Sequence, residues 1–161
     1  MGFHRKGPNV AKIKHHSLTG RITLPLMRRA FRNVRKNRGA AGIDRESIEA
    51  FEINLEDNLL ALMRRLKDGS YQPLPLRRVW IPKGQGRLRP LGIPAVRDRV
   101  AQEVIRLLLS PLFEPLFHED SYGFRPGRNG HMAVGKLLEL HQQGYTYVLD
   151  ADIQGFFDHA S

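Results

Sequence analysis

The chain has 161 residues, 41% of them apolar and 26% charged, which is the composition of a folded globular segment and excludes a long disordered tail. There is no cysteine, so a disulfide framework and a thiolate zinc site are both ruled out. The net charge of +10 falls in blocks: residues 1–43 carry eleven Lys or Arg and no acid, residues 44–76 are acidic, residues 77–106 are basic again, and the remainder is acidic.

Residues 1–20 are basic, contain Gly7 and Pro8 and show little apolar patterning, so a flexible arm is expected there. Thr23 before Leu24 and Pro25 is a helix start, and Met27, Phe31 and Val34 recur at helical spacing until Gly39, which predicts a short basic amphipathic helix. Asp44 opens a longer helix in which Ile48, Phe51, Leu55, Leu59, Leu62 and Leu66 step by three or four, with Gly69 as the C-terminal stop. Leu76 to Ile81 and Arg87 to Ile93 suit two strands around Lys83-Gly84-Gln85-Gly86, and together they predict a β-hairpin. Asp98 is placed to cap a helix carrying Val100, Val104 and Leu107, until Ser110-Pro111 restarts the chain, and Pro115 begins a short further helix.

The stretch from Ser121 to Arg128 is turn-like, a helix is expected from about Asn129 to Gln142, and Gly144 breaks it. Tyr145 to Ile153 alternates as a strand, with Asp150 and Asp152 on one face. No apolar run reaches the roughly 20 residues of a membrane span, and residues 1–20 hold no hydrophobic segment like a secretion signal, so no membrane partner and a cytoplasmic location are expected.

Two basic blocks separated along the chain suit a polyanion, because each neutralised phosphate releases counterions; a merely solvated basic face is the alternative. Asp150 and Asp152, with Asp158 beyond, could hold a hard cation such as Mg2+, which takes one or two carboxylates together with substrate phosphates. By spacing alone an Asp-x-Asp pair is more often a loop entry or a cap. His118, His131, His141 and His159 fall at no spacing that puts two on one helical turn.

Three ordered stretches carry a more specific signal. Asp152-Ile153-Gln154-Gly155-Phe156-Phe157-Asp158 resembles the first palm motif of group II intron reverse transcriptases. Upstream, Ile81-Pro82-Lys83 running through Gly86-Arg87-Leu88-Arg89-Pro90-Leu91-Gly92-Ile93-Pro94 to Arg97-Asp98-Arg99, and then Ser121-Tyr122-Gly123-Phe124-Arg125-Pro126-Gly127-Arg128, are similar to that family in the same order. The resemblance runs from about Leu18 to Asp158, weakly before Asp44 and strongly after Ile81. Gln154 stands where the family often has Lys, Asn129-Gly130-His131-Met132 replaces a Ser-Ala-His-Asp-like run, and Ala160 replaces a larger aliphatic.

The resemblance implies an α+β fold: helical fingers with a small antiparallel hairpin over residues 21–143, after a flexible arm at 1–20, and the first strand of the palm at 144–161. It implies that Lys83 and Arg89 reach the triphosphate of an incoming dNTP, where a long cation on each side of a hairpin tip suits phosphate. Read alone, either would pass as a solvent-facing cation. Asp152 matches the first catalytic and metal-binding aspartate, Ile153 adds its carbonyl to the metal and the nucleotide site, and Phe157 matches the ring beneath the sugar that rejects a 2′-hydroxyl. Asp158 is expected to be structural.

Tyr122, Phe124 and Arg125 match a loop near template and nucleotide, with simple packing of the two aromatics an open alternative. Arg28, Arg29, Arg32, Arg35 and Lys36 supply an RNA-gripping face. The partners implied are intron or template RNA, a DNA primer and dNTP, and an unpaired palm strand could promote self-association. The sequence contains no Tyr-x-Asp-Asp, the family's second catalytic element, so these residues alone are expected to be an inactive part of an RNA-directed DNA polymerase. The alternative is a non-catalytic RNA-binding module of the maturase kind that assists splicing.

Overall fold

The computed structural model describes residues 17–153, which divide between Leu112 and Phe113 into two compact units. In chain order the elements are α1 (Leu24–Lys36), α2 (Ile48–Ile53), α3 (Leu55–Asp68), β1 (Arg77–Gly84), β2 (Arg87–Ile93), α4 (Val96–Phe113) and α5 (Gly130–Gln142). Short 3-10 turns sit at Leu18–Arg21 and Glu114–Leu116, the former ordering the last residues of the expected arm. The α+β class is as anticipated, with one two-stranded antiparallel sheet among the described residues. No helix of the described residues is long and apolar enough to cross a membrane.

The core lies in the first unit. Met27, Ala30, Phe31 and Val34 form the buried stripe of α1, because steps of three and four return to one face of a 3.6-residue helix. They pack with Ile48 and Phe51 of α2, Leu59 and Leu62 of α3, and Val96, Val100, Ala101 and Val104 of α4. The rings of Phe31 and Phe51 stack with centroids 5.7 Å apart, an aromatic contact that adds to the burial of both.

The single helix expected from Asp44 is instead two. Ser47, not Asp44, caps α2, its hydroxyl accepting from the Ala50 amide at 3.1 Å. At Asn54 the backbone leaves helical geometry (φ −113°, ψ 43°) before α3 begins. The Asn58 side chain donates to the Phe51 carbonyl at 2.9 Å, supplying a partner at the end of α2 where carbonyls lose their helical donors. Gly69 closes α3 in the left-handed region at φ 75°, as its position suggested.

α4 also departs from expectation. It begins at Val96, so Asp98 lies within the first turn rather than ahead of it, and it continues through Pro111 to Phe113 without a restart. Proline in a last turn forfeits a ladder bond, and the chain answers by tightening into the 3-10 turn that follows.

In the second unit Asn129 caps α5, its side chain accepting from the Met132 amide at 3.0 Å. The strand expected over Tyr145 to Ile153 is not formed: these residues belong to no ladder, and Tyr147 and Leu149 are more than nine-tenths exposed. Alternation makes a segment suitable for a sheet, but a strand exists only when its N–H and C=O groups meet a neighbour, and none pairs with this one among the described residues. No described residue of the second unit is buried, and Val134, Leu137 and Leu138 of α5 are open.

Candidate nucleotide and nucleic-acid interface

The hairpin is built so that its tip presents cations. Val79 pairs with Leu91 and Ile81 with Arg89, and Gln85-Gly86 make the two-residue turn at φ 51° and 71°. Two successive positive φ values match the twist of the flanking strands, which Gly86 adopts freely and Gln85 does not. Between Pro82 and Gly84 the register slips by one residue, a bulge that leaves Lys83 as the extra residue of β1. Lys83, Arg87 and Arg89 are all exposed, and among the described residues none of them has an acidic partner.

The feet of the hairpin are clamped by Asp98, which is 3% exposed. Its carboxylate accepts from the Tyr71 hydroxyl and, at 3.1 Å, from the Leu74 amide, tying the segment that enters β1 to the helix that leaves β2. Burial, and then the hydrogen bond and charge of Asp98, push the Tyr71 phenol well above its ordinary pKa. In the sequence Asp98 signals a helix cap and a place in the Arg97-Asp98-Arg99 stretch, but not this clamp, because its partners are more than twenty residues away.

The basic face of α1 is divided. Arg28 donates twice to Glu56, at 2.8 and 2.7 Å, and Arg35 meets Glu52 at 2.9 Å. The hydrogen bond and charge of Glu56 raise the Arg28 pKa, and the same hydrogen bond lowers that of Glu56. Arg29, Arg32 and Lys36 are exposed and form no ion pair among the described residues.

In the second unit, Arg125 organises the loop before α5. Its side chain is 10% exposed, and its guanidinium meets the Glu114 carboxylate through Nε at 2.9 Å and Nη2 at 2.8 Å. Nη1 donates to the carbonyls of His118 and Ser121, and Nη2 reaches that of Glu114. The plane also covers the Phe117 ring at 5.3 Å. With every N–H answered inside the loop, Arg125 has little donor capacity left for a base or phosphate. Beside it Arg128 lies 5.3 Å over the half-buried Tyr122 ring, whereas Phe124, at φ 56°, holds its ring fully in solvent.

Asp150, Asp152 and Ile153 are exposed, and Phe157 and Asp158 lie outside the described residues. Among the described residues no three His, Asp or Glu side chains gather as a metal cluster. Magnesium does not require one, since a single carboxylate with waters and substrate phosphates can suffice, and the open Asp152 with the adjacent Ile153 carbonyl fits that donor set.

Residues 81–161 match the family described as reverse transcriptase (RNA-dependent DNA polymerase). The chain belongs to the reverse transcriptase family. It is of the group II intron reverse transcriptase and maturase kind: it is 37% identical over 132 residues to the group II intron-encoded protein LtrA of Lactococcus lactis, covering 80% of this chain. It is 43% identical over 124 residues to protein YkfC of Escherichia coli, covering 74% of this chain, and 38% identical over 66 residues to nuclear intron maturase 1 of Arabidopsis thaliana, covering 41%. These matches span 21%, 32% and 9% of the respective relatives, so the reverse-transcriptase segment seen here corresponds to a minor part of their length. The family match begins in β1 and takes in Lys83, Arg89, the Arg125 loop and Asp152, while the basic face of α1 lies outside it.

Proposed function

We propose that this segment binds the RNA template and the incoming dNTP of an RNA-directed DNA polymerase, with residues 21–143 as fingers and 144 onward as the start of the palm. The observation that carries the reading is the hairpin tip, where Lys83, Arg87 and Arg89 are exposed and, among the described residues, without acidic partners, inside the stretch that matches the family and runs on to Asp152. Lys83 supplies a mobile point charge and Arg89 a planar fork, a pair suited to a triphosphate. Asp152 and the Ile153 carbonyl would hold Mg2+, which polarises phosphate when bound. Phe157 serves as the ring under the sugar, and Tyr122 and Phe124 lie toward the template while Arg125 holds their loop in shape.

Two-metal phosphoryl transfer needs more carboxylates than Asp152 provides, so residues 1–161 alone are inactive in this reading. Primer extension with Mg2+ tests it: these residues should yield no template-dependent product, and synthesis by them would refute the point. Photo-crosslinking of an azido-dNTP tests the grip, which Lys83→Ala and Arg89→Ala should each weaken. Equal labelling of wild type and both variants would count against a nucleotide lid.

A second reading, RNA binding of the maturase kind, is favoured by Arg29, Arg32 and Lys36, which stand free of ion pairs among the described residues. Deleting α1 would destroy the core, so the test is Arg29→Ala, Arg32→Ala and Lys36→Ala together. The salt slope of RNA binding, log Kd against log salt, should flatten by about 2 to 3. Cytoplasmic location and self-association through residues 145–153 go with both readings, and concentration-dependent sedimentation would detect the latter.

A further inference from the structure

Residues paired across an antiparallel ladder point to the same side, and the register therefore divides the hairpin into two unlike faces. Arg77, Val79 and Ile81 share one face with Ile93, Leu91 and Arg89; Arg78, Trp80 and Pro82 share the other with Gly92, Pro90 and Leu88. On this second face Trp80 is 56% and Leu88 60% exposed, while Val79 and Ile81 on the first are half-buried. An open indole flanked by two rigid prolines, with Arg78 one strand step along, is an aromatic plane beside a cation.

Its surroundings select the occupant. Residues 69–97 contain six Lys or Arg and no acid, so a polyanion is drawn to this hairpin along its whole length. A polyanion that also offers flat apolar surfaces is single-stranded nucleic acid, whose every base has a π-face whatever its sequence.

We propose that the Trp80 face is a stacking platform for unpaired nucleobases, with Arg78 on the neighbouring phosphate, on the side of the sheet opposite Arg89. This rests on the nucleic-acid reading above and adds a second contact surface to it, distinct from the nucleotide lid. Stacking on one ring accounts for roughly a 5- to 100-fold change in affinity when the ring is removed.

Trp80 is the chain's single tryptophan, so its emission reports on this face alone. The 161-residue chain is titrated with an unstructured RNA oligonucleotide, following fluorescence anisotropy of the labelled RNA and Trp80 emission together. Both signals should give one Kd; Trp80→Ala should weaken binding about 5- to 100-fold, Trp80→Phe should restore most of it, and an abasic oligonucleotide of equal charge should bind without quenching. Binding without any change in emission, or with Trp80→Ala at wild-type affinity, overturns the platform while sparing the nucleic-acid reading. No binding by anisotropy at low salt overturns both.

Discussion

Replacing Asp98 by Ala removes the clamp at the base of the hairpin. The carboxylate is 3% exposed and accepts from the Tyr71 hydroxyl and the Leu74 amide. A hydrogen bond to a charged group contributes about 1.5–3 kcal/mol, so two give about 3–6 kcal/mol. Part of that is offset, because the desolvation cost of the carboxylate disappears with it and the half-exposed Tyr71 turns to water. A net loss of about 3 kcal/mol remains, which in a domain of about 100 residues lowers Tm by about 12–24 °C. Urea and thermal unfolding of the full chain by circular dichroism measure it, and a double-mutant cycle of Tyr71→Phe with Asp98→Asn should show coupling of about 1 kcal/mol or more. Asp98→Ala within about 0.5 kcal/mol of wild type, or additive single variants, would refute the clamp.

Tyr71 makes a pH prediction. Its phenol pKa is raised in the folded state, so its stabilisation is complete below the unfolded value of about 10 and is lost as pH rises above it, since the unfolded chain releases the proton first. The stability difference between wild type and Tyr71→Phe should therefore shrink above pH ~10, and a constant difference would contradict the shift. Arg125→Ala strips the loop of the group that answers Glu114, His118 and Ser121, and amide exchange at Ser121, which donates to His118, should speed by about 10- to 100-fold, from the roughly 1.5–3 kcal/mol that a hydrogen bond to a charged group contributes. Arg125→Lys, with one ammonium in place of a fork, should recover only part; exchange at the wild-type rate in both would remove Arg125 from its positioning role. Gly42→Ala puts a Cβ 2.5 Å from the Ala95 backbone, so the loop after α1 must move and stability should fall by about 1–3 kcal/mol in the same unfolding assay. An unchanged midpoint would mean the two backbones separate freely.

What the sequence determined by itself is what short-range physics encodes. The apolar stripe of α1, the Gly69 stop, the start of α5 near Asn129 and the hairpin around Gly84-Gln85-Gly86 each depend on a few neighbouring residues, and each was legible in chain order. The motif series around Lys83, Arg89, Tyr122 and Asp152 was legible in the same way, as order and spacing. Partnership was not. Which arginines of α1 are spent on Glu52 and Glu56, that Arg125 turns inward to Glu114, and that Asp98 joins Tyr71 to Leu74 depend on groups brought together by folding. The same reason governs Tyr145 to Ile153: alternation along one segment decides which side chains share a face, but a strand is a property of two segments, and only tertiary pairing supplies the second.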